Sequence, residues 1–482
     1  MTQENNIKSK VLSGLIWKFA ERISAQLVTF IVSIILARLL DPSHYGAIAI
    51  VNVFIALANV FVVSGFGNSL IQKKDADNID FSSVFWGNLV ISSLVYMVIF
   101  ISAPYIAEFY GMQILCPVLR VLGIRIIIGG INNVQQAYVS KNMMFKRFFW
   151  STLFGTVISG VAGIILAYSG FGIWALTAQY LINSIVGTIV LWFTVSWRPV
   201  FKFSFTRLKI LFSFGWKLLI SALLDTGYKE LRTLVIGKMY TSADLAFYNK
   251  GKSFPDLFVT NINSSIQSVL FPAMSNEQKN KDTLKAMVRR AIRISSYTML
   301  PLMCGFALVA EPFIELLLTE KWLPCVPYLR IATFTFAFMP IHTANLQAIN
   351  AIGRSDIYLR LEIIKKVIGL IALIVSAPYG VFAIAASAML TTVIASFINA
   401  YPNKKLINYN YFEQMKDMLN SSIPLLAMII GVYLINFLHF NTMLTLSLQI
   451  LTGAFMYIVV SIITKNESFN YIFNMIKDVL KR

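Results

Sequence analysis

The segment SGLIWKFAERISAQLVTFIVSIILARLLDPSHYG (Ser13–Gly46) decides the fold, because it joins a membrane-length apolar run to a turn and to the start of another run. Ile16–Leu40 is long and apolar enough to cross the hydrocarbon core as a helix. Lys18, Glu21 and Arg22 nevertheless lie near its front. Charges are costly inside a membrane, so their presence needs a functional explanation.

The composition is that of a membrane protein. The chain has 482 residues, of which 57% are hydrophobic and only 13% are charged, and its mean hydropathy is +0.70. Soluble domains are about half apolar and about one quarter charged. Apolar runs recur from end to end, which predicts a polytopic all-α membrane protein. The first apolar run lacks a small-residue cleavage site, so we expect it to remain as helix one.

We predict about fourteen transmembrane helices from the recurrence of apolar runs and the turn signals between them. Their expected positions are 12–37, 45–70, 82–106, 114–139, 148–168, 172–194, 210–236, 246–270, 291–318, 326–350, 360–377, 379–400, 419–438 and 442–463.

The net charge of +19 is read as an orientation signal. If the N-terminus is cytoplasmic, most loop Lys and Arg residues fall on the cytoplasmic side, and the outer loops hold only Arg38, Lys238 and Lys321. This distribution follows the positive-inside rule and predicts that both termini are cytoplasmic. It also removes the need to invoke nucleic acid as a partner of this basic chain.

Two cytoplasmic segments have the pattern of interfacial helices. One is Ser275–Ile294, which is basic and leads into span nine. The other is the tail, where apolar residues fall on one helical face and basic residues lie off it. The apolar residues of the tail are Phe469, Ile472, Phe473, Ile476 and Leu480. Membrane-surface anchoring is the simpler interpretation of both segments.

An internal repeat divides the chain into two halves. The outer-loop segment ARLLDPSHYGAIA (Ala37–Ala49) has a counterpart in GKMYTSADLAFYN (Gly237–Asn249). Asn133-Val134-Gln135 likewise corresponds to Asn345-Leu346-Gln347. We therefore expect two six-helix lobes, 1–203 and 204–403, around a central cavity, followed by helices 13 and 14 and an amphipathic tail in 404–482. An even number of spans in each lobe gives both the same orientation.

Matching polar stripes run along the first helix of each half. In both, five polar positions are spaced four, four, three and four residues apart, which places them on one helical face. They are Lys18, Arg22, Gln26, Thr29 and Ser33 in the first half, and Lys217, Ser221, Asp225, Tyr228 and Arg232 in the second. Glu21 lies beside the first stripe, and Lys229 and Glu230 widen the second.

Span four carries a further polar face with Arg125, Gly129, Asn132 and Gln136. Basic residues outnumber acids at membrane depth, and cationic charge in a cavity favours an anionic cargo, because guanidinium matches phosphate by forked hydrogen bonds. We predict that the substrate-binding residues are Lys18, Arg22, Arg125, Lys229 and Arg232. The remaining polar or ion-paired cavity residues are predicted to be Glu21, Gln26, Asn132, Gln136, Lys217 and Asp225.

The sequence resembles the polysaccharide-transport branch of the MOP exporter superfamily in four features. These are the two-lobe plan, the added helix pair, the front segment with its Leu-Leu-Asp-Pro-x-x-Tyr-Gly turn, and the Asn-x-Gln element. That branch includes the Wzx-type flippases. The resemblance implies a protein of the bacterial inner membrane that moves undecaprenyl-pyrophosphate-linked oligosaccharides to the outer leaflet by alternating access. It implies lipid-linked oligosaccharide, membrane lipids and polysaccharide polymerase machinery as partners. No cofactor is expected.

Three other functions compete with this interpretation. A lipid II flippase also needs a cationic cavity and fourteen helices, so it stays open as an alternative. A multidrug or cation antiporter of the same superfamily would need unpaired acids in its cavity. An enzyme is not expected, because His44, His342 and His439 are far apart and no nucleophile set, P-loop or metal-ligand spacing is present. Cys116, Cys304 and Cys325 form no CxxC pair and are expected to pack as apolar residues.

Overall fold

The computed structural model describes residues 2–63, 67–73, 75–438 and 440–480. Within these ranges the chain forms α-helices, short 3-10 turns and loops, and contains no strand. It divides into two compact units, 1–246 and 247–482. Each unit is described by itself.

Unit 1 contains eight complete helices and the beginning of a ninth. They are α1 (Thr2–Leu39), α2 (Pro42–Val63), α3 (Gly67–Gln72), α4 (Asn78–Tyr110), α5 (Leu115–Lys141), α6 (Lys146–Tyr168), α7 (Ile173–Thr194), α8 (Phe205–Met239) and the start of α9 (Ser242–Asn276).

Glycines allow close helix packing in unit 1. Helix α6 packs against α1 and α7, while α5 packs against α2, α4 and α7. A Cβ on Gly160 of α6 would lie 2.5 Å from a methyl group of Val32 on α1, and one on Gly130 of α5 would lie 2.5 Å from Ser92 Oγ on α4. Small residues at such crossings are typical of membrane helix bundles, where tight packing replaces the hydrophobic effect as the driving force.

Unit 2 contains the remainder of α9 and eleven further helices. They are α10 (Lys281–Leu308), α11 (Ala310–Leu318), α12 (Val326–Ala337), α13 (Met339–Ala351), α14 (Ser355–Ser376), α15 (Val381–Ala400), α16 (Asn403–Leu406), α17 (Tyr411–Met418), α18 (Ser422–Ile435), α19 (Thr442–Ile463) and α20 (Glu467–Leu480).

Helix α10 forms the centre of unit 2. It packs against α12, α13, α17 and α18, and α14 pairs with α15 while α18 pairs with α19. The apolar core of the unit includes Leu284, Val288 and Ile292 of α10, which recur at helical spacing and are fully buried.

Ten helical segments of the described residues are long and apolar enough to cross a membrane, so the prediction of an all-α polytopic membrane protein is confirmed. These segments are Ile16–Leu39, Pro42–Val63, Asn78–Tyr110, Leu115–Lys141, Lys146–Tyr168, Ile173–Thr194, Lys281–Leu308, Val381–Leu406, Tyr411–Leu438 and Thr442–Ile463. The other four predicted spans coincide with helices that carry charges at membrane depth (α8, α9 and α14) or with the interrupted pair α12 and α13. The total of fourteen stays a prediction.

Three predicted boundaries differ from the structure. Predicted span nine, 291–318, is interrupted at Val309, where α10 ends and α11 follows. The basic segment Ser275–Ile294 is not a separate interfacial helix, because α10 runs without a break from Lys281 into span nine after an N-cap at Asn280. Predicted span ten is split at Phe338. Pro340 explains the split, since it lacks the N–H that would continue the hydrogen-bonded ladder from α12.

The predicted tail helix is present as α20. Phe469 and Ile472 pack on the core of unit 2, whereas Phe473 is 56% exposed. The side chains of Ile476 and Leu480 lie outside the described part of the chain. Part of the predicted membrane-facing stripe therefore contacts protein instead.

The two helix connections at the repeated segments have the same length. Helix α1 ends at Leu39 and α2 begins at Pro42, whereas α8 ends at Met239 and α9 begins at Ser242. Each pair is thus joined by two residues at corresponding positions. Asn133 on α5 and Asn345 on α13 are both buried and hydrogen-bonded.

Candidate functional site

All eleven predicted site residues lie in unit 1. Four of them are on α8, which the repeat assigns to the second lobe but which packs in unit 1 against α2 and α4. The hydrogen bonds and ion pairs of unit 1 link site residues in local groups on α1 and α6, on α5 and α7, and on α8.

The first group involves Lys18 and Glu21 on α1. Lys18 Nζ lies 3.1 Å from Glu21 Oε2 and 4.9 Å from the ring centroid of Phe148 on α6. Thr152 Oγ1 of α6 donates a hydrogen bond to Glu21 Oε1 over 3.0 Å. These contacts connect the front of α1 to α6, so Glu21 neutralises one of the predicted substrate-binding cations.

Arg22 and Gln26 continue the stripe on α1. Arg22 is exposed and Gln26 is half-buried. Further along the chain, α1 packs against α6, and Val32 contacts Gly160 there. The charged end of the stripe is therefore the more accessible part of the helix.

Arg125 forms the second group with α7. Its Nε donates a hydrogen bond to Ser184 Oγ over 3.0 Å, and its guanidinium carbon lies 5.3 Å from the ring centroid of Tyr180. No carboxylate of the described residues pairs with it. An arginine held by a hydroxyl and an aromatic face keeps its full positive charge and most of its donors for a ligand.

The polar face of α5 carries both buried and exposed polar groups. The Oδ1 atom of Asn132 is buried and has no hydrogen-bond partner within the described residues, whereas Gln136 is exposed. Their neighbours make the structural bonds: Asn88 Nδ2 donates to Asn133 Oδ1 over 3.4 Å, and Gln135 Nε2 donates to the carbonyl oxygen of Trp197 over 3.2 Å.

The third group lies on α8. Lys229 Nζ is 2.8 Å from Asp225 Oδ2, and the two side chains are 70% and 46% exposed. Lys217 is exposed nearer the start of the helix. Arg232 is half-buried, and its Nε is buried without a hydrogen-bond partner in the described part of the chain. A buried guanidinium N–H without a partner is unfavourable, and a ligand or water that accepts a hydrogen bond from it removes this cost. Arg232 is therefore a better anion-binding candidate than Lys229.

Trp17 on α1 and Trp86 on α4 make packing contacts within unit 1. Trp17 packs edge-on against Phe149 at 5.3 Å between ring centroids. Trp86 Nε1 donates a hydrogen bond to the carbonyl oxygen of Val200 over 3.0 Å and stacks on Phe201.

Sequence reasoning missed a buried acid in each unit. In unit 1, Asp80 is fully buried, and its carboxylate lies 2.6 Å from Lys73 Nζ and 3.5 Å from Arg207 Nη1. A hydrogen bond from Arg207 to the neighbouring Asp77 lowers the pKa of Asp77 to about 2. The basic residues were visible as orientation signals, but the sequence does not reveal which acid they enclose.

In unit 2 the corresponding acid is Asp417, whose side chain is 1% exposed. Arg289 Nε and Arg293 Nε each donate to it over 2.7 Å, and Tyr409 Oη donates over 2.7 Å. Basic residues of the loops and helix ends thus serve as ion-pair partners as well as orientation signals.

Among the described residues, no three His, Cys, Asp or Glu side chains are grouped so that they could hold a metal ion. His44 and His342 lie in different units, and His439 lies outside the described residues. Cys325 is buried, and Cys116 and Cys304 are half-buried free thiols.

Curated proteins with related sequences belong to polysaccharide synthesis pathways. The chain is 24% identical to the teichuronic acid biosynthesis protein TuaB of Bacillus subtilis over 73% of each chain. It is 22% identical to the succinoglycan biosynthesis transport protein ExoT of Rhizobium meliloti over 98% of this chain and 97% of that protein. It is also 22% identical to the lipopolysaccharide biosynthesis protein WzxC of Escherichia coli over 86% of this chain and 83% of that protein.

Solved structures share the fold. The lipid II flippase MurJ, in an inward closed conformation, superposes with a TM-score of 0.75 at 17% identity and covers 94% of this chain and 99% of its own. An inward-facing multidrug resistance MATE transporter of the MOP superfamily superposes with a TM-score of 0.63 at 17% identity, over 80% and 94% of the two chains.

The family described as polysaccharide biosynthesis protein matches residues 35–327, which is more than half of the chain. This match, the helical membrane architecture and the transporter fold agree with the resemblance seen in the sequence. The chain belongs to the polysaccharide biosynthesis protein family.

Proposed function

We propose that this protein is a flippase that moves undecaprenyl-pyrophosphate-linked oligosaccharide repeat units across the bacterial inner membrane by alternating access. Cationic side chains of α1, α5 and α8 would bind the pyrophosphate. Both termini would be cytoplasmic, and the lobes would follow the repeat, 1–203 and 204–403, with 404–482 as the added helices and tail. Polysaccharide polymerase machinery would receive the product.

The observation that carries the proposal is the environment of Arg125. Within the described residues its guanidinium contacts a hydroxyl and a ring and has no carboxylate partner. A charged residue at membrane depth is expensive and usually marks a substrate pathway. Guanidinium binds phosphate through paired N–H donors, so an uncompensated arginine in this position favours a phosphorylated cargo.

Arg232 supports the same conclusion from α8. Its buried Nε lacks a hydrogen-bond partner among the described residues, and an oxyanion would satisfy it. Lys18 and Lys229 are less suited to the role, because Glu21 and Asp225 already pair with them. We therefore rank Arg125 and Arg232 above the paired lysines, and keep Arg22 as a candidate on the exposed part of α1.

The relatives support the choice of cargo. TuaB, ExoT and WzxC are named for the synthesis of teichuronic acid, succinoglycan and lipopolysaccharide, and ExoT is named as a transport protein. Assembly of such polymers requires transfer of large hydrophilic units past the hydrocarbon core. An oligosaccharide joined to a lipid by a pyrophosphate presents the negative charge that these arginines would bind.

The test is complementation of a flippase-deficient bacterium with wild type, Arg125→Gln and Arg232→Gln at equal membrane abundance. We expect wild type to restore surface polysaccharide, and each variant to reduce export by about tenfold or more, because a charged hydrogen bond is worth about 1.5–3 kcal/mol. Lipid-linked oligosaccharide should accumulate on the cytoplasmic side. The matched control is Arg120→Gln. Arg120 is a half-buried arginine of α5 that stacks on the Phe100 ring and donates a hydrogen bond to the Phe100 carbonyl oxygen.

Other outcomes would identify a different transporter. Rescue of a lipid II flippase mutant, with no rescue of polysaccharide export, would make lipid II the cargo. Resistance to cationic drugs without either rescue would favour the antiporter. Normal export by both arginine variants would overturn the cationic binding site.

A further inference from the structure

A pocket of about 480 Å³ opens beside the first turns of α6 in unit 1. Ser13, Gly14 and Trp17 of α1 line one side of it. Residues 143–147 line another, and they comprise the end of the α5–α6 connection and the first two residues of α6. Trp150 of α6 and Thr194 at the end of α7 complete it. Gly14 makes room for the loop, because a Cβ there would lie 2.8 Å from the Phe145 ring.

The lining is cationic and contains no acid. Lys146 and Arg147 both line the pocket, and neither pairs with a carboxylate of the described residues. The Nη1 atom of Arg147 is buried without a hydrogen-bond partner in the described part of the chain. Because an unsatisfied buried donor is unfavourable, this atom indicates an oxyanion or water that completes the site.

The remaining lining is suited to a membrane–water interface. Lys146 Nζ lies 5.3 Å from the ring centroid of Trp17, and Trp150 stacks on Phe154 at 5.6 Å. Tryptophan prefers the headgroup level of a bilayer, with its ring against the acyl chains. Met143 and Met144 add flexible apolar surface. The pocket thus combines phosphate-binding cations with groups that contact glycerol and acyl carbons.

We propose that this pocket binds the headgroup of an anionic phospholipid from the leaflet at the basic end of unit 1. Basic pockets between membrane helices on the cytoplasmic side are typical sites for such headgroups. The lining contributes few hydroxyl groups, Ser13 and Thr194, so it offers little to the sugars of a lipid-linked oligosaccharide. A single phosphodiester with two adjacent cations fits the lining better. This site is separate from the proposed transport function and would persist if that function were wrong.

The experiment is native mass spectrometry of the full-length protein in detergent, titrated with phosphatidylglycerol or with phosphatidylcholine of the same acyl chains. We expect wild type to retain phosphatidylglycerol more tightly than phosphatidylcholine. The double variant Lys146→Gln/Arg147→Gln should bind phosphatidylglycerol about thirtyfold more weakly, which corresponds to about 2 kcal/mol for the loss of two cations near an anionic lipid. Its phosphatidylcholine binding should not change.

The control is Lys202→Gln/Lys209→Gln, which removes the same charge from exposed residues of unit 1 outside the pocket. It should bind phosphatidylglycerol as wild type does. Ser13→Phe keeps both cations but fills the pocket, and it should also weaken binding. If the double variant does not fold, Lys146→Gln alone carries the test, because Lys146 is exposed.

Three results would overturn the proposal. The control variant could lose as much phosphatidylglycerol as the pocket variant, which would indicate a general surface attraction. The pocket variants could bind as wild type does. Inorganic phosphate could displace the lipid at equal concentration, which would make the site one for free anions.

Discussion

Arg125 on α5 donates its Nε hydrogen to Ser184 Oγ on α7 over 3.0 Å, and this bond fixes the direction of the guanidinium. A lysine keeps the charge but loses the planar fork that binds two phosphate oxygens. We expect Arg125→Lys to reduce export by about tenfold. Ser184→Ala should reduce export less, because it removes one orienting contact and leaves the guanidinium with its charge and its fork of donors. The measurement is surface polysaccharide per molecule of membrane protein.

Equal export by Arg125→Lys and wild type would mean that charge alone is required. A larger loss in Ser184→Ala than in Arg125→Lys would assign the main role to the hydroxyl, and the positioning argument would fail.

Asp417 lies near the end of α17 and bonds to two arginines in the first half of α10. Its carboxylate is 1% exposed and receives hydrogen bonds from Arg289, Arg293 and Tyr409. Asp417→Asn leaves two arginines without their shared counter-charge, and breaking a buried ion pair costs about 3–5 kcal/mol. We expect a clear fall in the thermal unfolding temperature in detergent.

The control for Asp417 is Glu467→Gln. Glu467 also pairs with Arg293, but its side chain is 74% exposed. Exposed pairs contribute about 0–1 kcal/mol, so this variant should unfold close to wild type. Equal effects of the two substitutions would contradict the view that burial makes Asp417 important.

Much of the fold is predictable from local patterns. The two polar stripes, which begin at Lys18 and Lys217, follow from helical spacing, and this spacing can be read from the sequence. The turns before Pro42 and Ser242 follow from turn-forming residues, which the sequence also shows. Pro340 also accounts for the split at Phe338. The split was not predicted because the residues around Pro340 form a continuous apolar run. The uninterrupted start of α10 was missed because a basic amphipathic pattern fits both a surface helix and the end of a membrane helix.

The partners of charged side chains were less predictable. Glu21 was predicted to be a polar or ion-paired cavity residue, and in the structure it pairs with Lys18 and accepts a hydrogen bond from Thr152. That bond joins residues far apart in sequence, as do the bonds of Asp80 and Asp417. Such contacts depend on which helix faces pack together, and a single sequence contains no direct signal for them.

The pH dependence of the Asp77–Arg207 pair follows from the lowered pKa of Asp77. The pKa of Asp77 falls from its ordinary value of 3.8 to about 2, so the folded state favours the ionised form of this side chain. The pair therefore stabilises the protein above about pH 4, and this contribution is lost as the pH falls toward 2. Asp77→Asn keeps an N-cap for α4 but removes the charge.

We expect wild type to unfold at a slightly higher temperature than Asp77→Asn at neutral pH, and the difference to shrink as the pH is lowered below about 4. The effect should be small and should weaken with salt, because the Asp77 side chain is 49% exposed. Glu277→Gln is the control, since Glu277 is an exposed acid outside the ion pairs of the described residues. A difference that grows toward acidic pH would contradict the assignment.

Adjacent glycines on α5 give a direct test of the helix packing. A Cβ on Gly130 would lie 2.5 Å from Ser92 Oγ and 3.1 Å from the carbonyl oxygen of Asn88, so Gly130→Ala must push α4 and α5 apart. Overpacking of this kind costs about 1–3 kcal/mol, and we expect a lower unfolding temperature. A Cβ on Gly129 would meet only Asn59 Oδ1 at 3.5 Å, an ordinary contact. Because alanine favours a helix over glycine by up to about 1 kcal/mol, Gly129→Ala should be neutral or stabilising, and a loss of stability equal to that of Gly130→Ala would contradict this packing of α4 on α5.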